Sequence, residues 1–144
     1  MTPKQYLNQI QILDVRIRHR IEQLDELKAL TSGIRSPVMN ADRVQTSPDD
    51  RMLSIISKWV DKERQINALV DRYVDIKDRI ISEINSLDDP RFVRILYRRY
   101  VRYDSLTVIA ADMGYEYKWL CRMHGDALRA FGETVLTKNT IKHD

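Results

Sequence analysis

Cysteine is almost absent from this chain. Cys121 stands alone in 144 residues, so no intramolecular disulfide can form and nothing supports a cysteine-based metal cage. Glycine and proline are sparse too, four of each, which leaves the chain few places to turn. No stretch approaches the roughly 18 consecutive apolar residues of a membrane span, and the opening MTPKQYLNQI lacks the apolar core of a signal peptide. A cytoplasmic protein with no membrane partner is expected. A large excess of one charge is also missing: the net charge of +3 is too small by itself to imply a nucleic-acid partner. His19, His124 and His143 have no ligand spacing, and neither a phosphate-cradling glycine loop nor a catalytic pair of carboxylates is present. No enzyme, no metal and no cofactor are expected.

What remains is a chain with 31% charged residues and abundant Leu and Ile, a composition that favours an all-α fold. From Thr2 to Leu30, apolar residues recur at Tyr6, Ile10, Leu13, Ile17, Ile21, Leu24 and Leu27, in steps of three and four that hold one helical stripe. Thr2 can cap this helix, with Pro3 in its first turn. Residues 31–50 gather Gly33, Pro37, Asn40 and Pro48 and read as a long loop. Ser47-Pro48-Asp49-Asp50 then opens a second helix, reaching about Leu87, with the stripe Met52, Ile56, Trp59, Ile66, Leu69, Tyr73, Ile76, Ile80 and Leu87. Glu63 and Glu83 interrupt it at two positions where apolar residues are expected. At about 55 Å this helix is too long for a compact domain and needs a partner along its length. The first helix is the nearest candidate, giving a long antiparallel coiled-coil hairpin over residues 1–87. The hairpin is shorter on one side, so part of the second helix is left for another chain or for the C-terminal domain, and a homodimer or higher homo-oligomer is expected.

Asp88-Asp89-Pro90 starts a further helix, RFVRILYRRYV, which carries a basic run of Arg91, Arg94, Arg98, Arg99 and Arg102. Arg94, Arg98 and Arg102 fall on one face, suited to crossing a phosphate backbone, or equally to pairing with nearby acids in solvent. The next stretch, LTVIAADMGYEYKWLCRMHG, predicts two short helices, Leu106–Met113 and Tyr117–Phe131, with Ser105 or Asp104 as cap and Gly114 at the turn. Ala110 is small where a second helix crosses closely. Gly114 tolerates positive φ, while Ile109, Met113, Leu120 and Met123 face inward. These are the requirements of a helix-turn-helix over residues 88–132. A plain helical hairpin meets the same apolar logic, but the outward face of the second helix carries Tyr117, Lys118, Cys121, Arg122 and Arg129, the long donors and aromatic ring that base edges and phosphates require. Trp119 either packs on the preceding helix or touches DNA. The last residues, 133–144, show no periodicity and read as a flexible tail.

The run SLTVIAADMGYEYKWLCRMHGDALRAF resembles, without gaps, the end of region four of bacterial sigma factors, whose pattern is a Leu-x-x-Ile-Ala-x-x-Leu-Gly helix followed by a reading helix ending in Ala-Leu-Arg. RFVRILYRRYV resembles that domain's earlier helix. With its helical extension, the whole chain is similar to small phage and prophage proteins of the ArpU and RinA groups, regarded as transcriptional regulators of late phage genes. The resemblance implies double-stranded DNA as partner, with RNA polymerase as a second. It puts the groove-facing positions on Tyr117, Lys118 and Arg122, with Trp119 and Cys121 close by, and lets Arg98, Arg99 and Arg102 hold phosphates. The chain departs from the pattern at Glu116, where a capping Ser is usual, and in Tyr117-Lys118-Trp119, where an Arg-rich start is usual, so base specificity does not carry over. Two other functions fit the same architecture. One is a small-terminase-like packaging protein, and the other an adaptor whose helix-turn-helix binds protein instead of DNA.

Overall fold

Thr2 and Gln5 start the first helix reciprocally. The Thr2 hydroxyl accepts from the Gln5 N–H at 3.2 Å and the Gln5 side chain accepts from the Thr2 N–H at 3.0 Å, which satisfies two amides that a helix start leaves open. This helix, α1 (Pro3–Leu7), runs almost without interruption into α2 (Gln9–Ala29). Asn8 between them keeps right-handed helical φ and ψ of −69° and −10° and hydrogen-bonds in both directions, to Lys4 and to Ile12. In this computed structural model, residues 1–31 and 48–142 are described. Most of the predicted loop at 31–50, with its Ser47 cap, lies outside them. The chain continues in α3 (Pro48–Asn85), α4 (Pro90–Leu96) with a π-helical turn at Tyr97–Val101, α5 (Leu106–Met113), α6 (Tyr117–Phe131) with a second π turn at Gly132–Leu136, and α7 (Thr137–Lys142). Among the described residues the protein is all-helical, with no strand, and no helix is long and apolar enough to cross a membrane.

The chain divides into two compact units. One is Asp14–Arg72; the other joins Met1–Leu13 to Tyr73–Asp144. In the first, α2 and α3 run antiparallel: Arg20 donates to Gln65 at 3.0 Å, and Lys28 lies 2.9 Å from a Glu63 carboxylate oxygen and 5.9 Å from the centre of the Trp59 ring. Glu63 interrupts the apolar stripe because its neighbour across the pair is this lysine. Ile17, Leu24 and Ile66 are buried, while Met52, Ile56, Trp59, Leu69 and Leu27 are half-buried. Ile21, predicted inside, is 41% exposed. Two successive steps of four, Leu13 to Ile17 to Ile21, advance the side chain about 40° each at 3.6 residues per turn, which carries Ile21 past the buried face.

The composite unit is built from both ends of the chain. Leu7 and Ile10 from the start, Ile80 and Ile84 from α3, Ile95 and Leu96 from α4 and Phe131 from the end of α6 are all fully buried. The Tyr6 and Phe131 rings sit 5.8 Å apart, tilted by 43°. A β-carbon added at Gly132 would meet Pro3 Cγ at 3.0 Å, so the start of α1 and the end of α6 approach closely. Glu83 explains itself here. Tyr6 Oη donates to one of its carboxylate oxygens at 2.5 Å and Asn139 Nδ2 to the other at 3.2 Å, so one acid ties together three distant segments. Burial, then the Glu83 carboxylate, pushes the Tyr6 phenol up to about 12.

Two boundaries differ from those read in the sequence. Residues 1–13, expected in the hairpin, belong to the composite unit, because Leu7 and Ile10 bury themselves there rather than in a separate two-helix layer. The predicted flexible tail is helical from Gly132 to Lys142, with Val135 buried and Asn139 bonded to Glu83. So short a segment, buried at one residue and passing through a π turn, leaves no 3.6-residue periodicity to read.

Candidate nucleic-acid interface

Asp89 caps α4 by accepting the Arg91 N–H at 2.9 Å, and Ser105 caps α5 by accepting the Val108 N–H at 3.2 Å. Helix α5 stops at Gly114, whose φ of 74° and ψ of 28° lie in the left-handed region that only glycine enters without strain. Around it the Tyr115 N–H donates to the Ala110 carbonyl at 2.9 Å and the Gly114 N–H to the Ala111 carbonyl at 3.3 Å, the paired bonds of a Schellman ending. Three residues later α6 begins. Both helices start and stop at the residues read from the sequence. Ile109, Ala110, Leu120 and Met123 form one buried cluster with Ile95 of α4, and Leu106, Met113 and Tyr115 pack against it.

Burying Leu120, Met123, Ala127 and Phe131 on one side of α6 turns Lys118, Arg122 and Arg129 to the opposite side. Their spacing of four and seven residues sets them in one line along the helix. All three are exposed, and Arg129 also meets Asp126 at 3.3 Å. Tyr117 and Trp119 flank the line at 54% and 51% exposure. Cys121 is half-buried beside Tyr117, and its hydrogen bond to the phenol is the main cause that raises the Tyr117 pKa. Glu116 occupies the cap position with extended backbone but makes no side-chain cap, so the first amides of α6 stay open toward solvent.

The basic run divides. Arg98 is held by two acids: its Nε lies 2.9 Å from Asp104 and its Nη2 meets Asp112 on α5, leaving the side chain 13% exposed. Arg99 donates to the Asp104 backbone carbonyl at 3.2 Å. Arg102 is 62% exposed and reaches Asp104 only at 3.9 Å. For Arg98 the pairing with nearby acids holds, and the two carboxylates raise its pKa further. The reason is the loop at Tyr103–Asp104, which turns back at a Tyr103 φ of 63° and brings Asp104 beneath the π turn. Arg94 and Arg102, with Tyr97 and Arg98, line a shallow open cleft whose far wall is Asp112. No α6 side chain lines it, so the arginines of this cleft and the α6 line are separate sets.

Spacing could not reveal two features. Asp112, fourteen residues from Arg98, is its partner only through the packing of α5. His124, on the inner flank of α6, meets Tyr100: Oη and Nε2 are 2.9 Å apart and the rings stack at 5.8 Å. Burial, then the positive charges of Arg99 and Lys4, holds the His124 pKa below its ordinary 6.5, and burial raises that of Tyr100. Comparison with protein-family models, with curated proteins and with solved structures gives no match.

Proposed function

We propose that this protein is a non-enzymatic, cytoplasmic transcriptional regulator of phage or prophage type that reads double-stranded DNA with α6 of a helix-turn-helix formed by α5 and α6. The observation that carries the reading is the line Lys118, Arg122 and Arg129, set opposite the buried Leu120, Met123 and Ala127 on a helix positioned by the Gly114 turn. In that pose Lys118, Arg122 and Tyr117 face base edges or adjacent phosphates, and Trp119 lies along the groove wall. The open amides at the start of α6 favour a phosphate there. Arg99 and Arg102 approach the backbone. Arg98 orients the Asp104 loop and α5 instead of meeting DNA. Helices α2 and α3 act as a coiled-coil hairpin for self-association, which pairs two reading heads with two half-sites.

Gel-shift and footprinting on the DNA flanking the protein's own gene test this. Lys118→Ala/Arg122→Ala, checked for unchanged helicity, should lose the footprint, and each phosphate contact removed should lower the slope of log affinity against log salt by about 0.9. A folded double variant that binds as well as the parent overturns the assignment. A protein-binding adaptor, docking on RNA polymerase, is favoured by one observation, the exposure of Trp119 and Tyr117 together with Val108 at 47%. Salt-independent absence of DNA affinity, with polymerase binding lost in Trp119→Ala, would select it.

A further inference from the structure

Helix α3 carries two apolar faces, and its intramolecular packing covers the second only in part. Written as heptads, the first face is the 3–4 repeat that includes the buried Ile66, Ile76 and Ile80. One residue further on, about 100° around the helix, runs a second repeat. Leu53, Val60, Asn67 and Val74 follow one another at seven residues, with Ile56, Glu63, Val70 and Lys77 between them. Five of these eight are apolar. Of the twelve residues at the other three heptad positions between Ser54 and Arg79, only Ala68 is. The second face is partly open: Leu53 is 63% exposed, Val74 47% and Val70 36%, and Asn67 is exposed, while Ile56, Val60 and Lys77 are half-buried and the Glu63 side chain keeps 44% although it meets Lys28. Helix α2 has no such second stripe.

The order of residues on this face selects its occupant. In a parallel pair of identical helices in register, Glu63 would oppose Glu63 and Lys77 would oppose Lys77. Laid antiparallel about a two-fold axis at Gln65, the same face matches itself. Val60 of one copy meets Val70 of the other, Ile56 meets Val74, and Glu63 meets Asn67, whose amide can donate to the carboxylate. Polar residues meet at the centre and apolar layers flank them on both sides. Only the outermost layer mixes, with Leu53 against the aliphatic stem of Lys77. Shifting the register by one heptad either way puts Glu63 and Asn67 against Val or Ile. We propose that a second copy of this chain docks on this face of α3, antiparallel and two-fold symmetric, with Val60 and Val70 as the facing apolar layer and Glu63 and Asn67 as the pair that sets register. This deepens the self-association part of the function proposed above and rests on it; it does not depend on DNA.

Light scattering on the full chain should give twice the 17.0 kDa monomer mass, and Val60→Glu/Val70→Glu should weaken association at least about tenfold while keeping the helical circular dichroism. Orientation is read separately. In a Cys121→Ser background, Val60→Cys/Val70→Cys should give a covalent dimer on mild oxidation, and Val60→Cys alone should not. The two introduced thiols lie about 15 Å apart along one helix, so their bond must join two copies. A monomeric parent, a glutamate pair that leaves the mass unchanged, or a lone Val60→Cys that cross-links as readily as the pair each overturns the proposal. No DNA enters these measurements, so failure here leaves the footprint standing, and a lost footprint leaves the dimer standing.

Discussion

The two units of this protein use the same helices to different ends. In the composite unit, all the largest fully buried side chains are found, from Leu7 and Ile10 near the start to Phe131 near the end. In Asp14–Arg72 the best-buried residues, Ile17, Leu24 and Ile66, retain 6–8% exposure and most of the stripe is only half-covered. A layer of two helices covers each apolar stripe from one side, whereas α6 in the composite unit meets α1, α4 and α5 and is covered from several. The two glutamates in the α3 stripe show the same contrast. Glu63 has a lysine partner in solvent, while Glu83 accepts from a partly buried tyrosine and an asparagine.

Mutations can break or sharpen this comparison. Phe131→Ala should cause the largest loss, about 3–5 kcal/mol, because it empties the point where the two chain ends meet. Ile66→Ala in the two-helix layer should cost about 2 kcal/mol, at the low end for its kind, since its surroundings can close partly over the gap. Chemical denaturation measures both, and equal losses would end the distinction. Tyr6→Phe, which leaves Glu83 with Asn139 alone, should cost about 1 kcal/mol, whereas Lys28→Ala should fall between about 0 and 1 kcal/mol and shrink in high salt.

The smallest effect is in pH. His124 has a folded pKa below its ordinary 6.5, so the unfolded chain takes up its proton first as the solution is acidified. Its contribution is therefore complete above 6.5 and is lost as pH falls toward the depressed folded value. The urea midpoint should drop more steeply below pH 6.5 in the parent than in His124→Gln. Parallel slopes would show that His124 does not titrate with folding.

The candidate interface was legible in its frame and less so in its chemistry. Ser105, Gly114 and the spacing of Ile109, Leu120 and Met123 are local signals, and the helices begin and end where those signals put them. Lys118 and Arg122 could be placed outward by helical spacing once Leu120 and Met123 were placed inward. Arg98 could not be read in this way. Its position among five arginines suggests a free cation, yet its partners are six and fourteen residues away on a loop and on another helix. The same holds for Tyr100 with His124 and for Tyr6 with Glu83, where neither member carries a sign of the other.

Every helix start, stop and apolar stripe that was recognisable along the chain depends on hydrogen bonds and side-chain spacings within about five residues, so the linear order of residues is enough to determine it. The closing of residues 1–13 onto α6, the burial that makes Gly132–Lys142 helical at its packed end, and the capture of Arg98 by two acids depend on which surfaces meet after the chain has turned. That choice is made by burying Leu7, Ile10 and Phe131 together, an energy shared among residues more than a hundred positions apart, and only the tertiary structure expresses it.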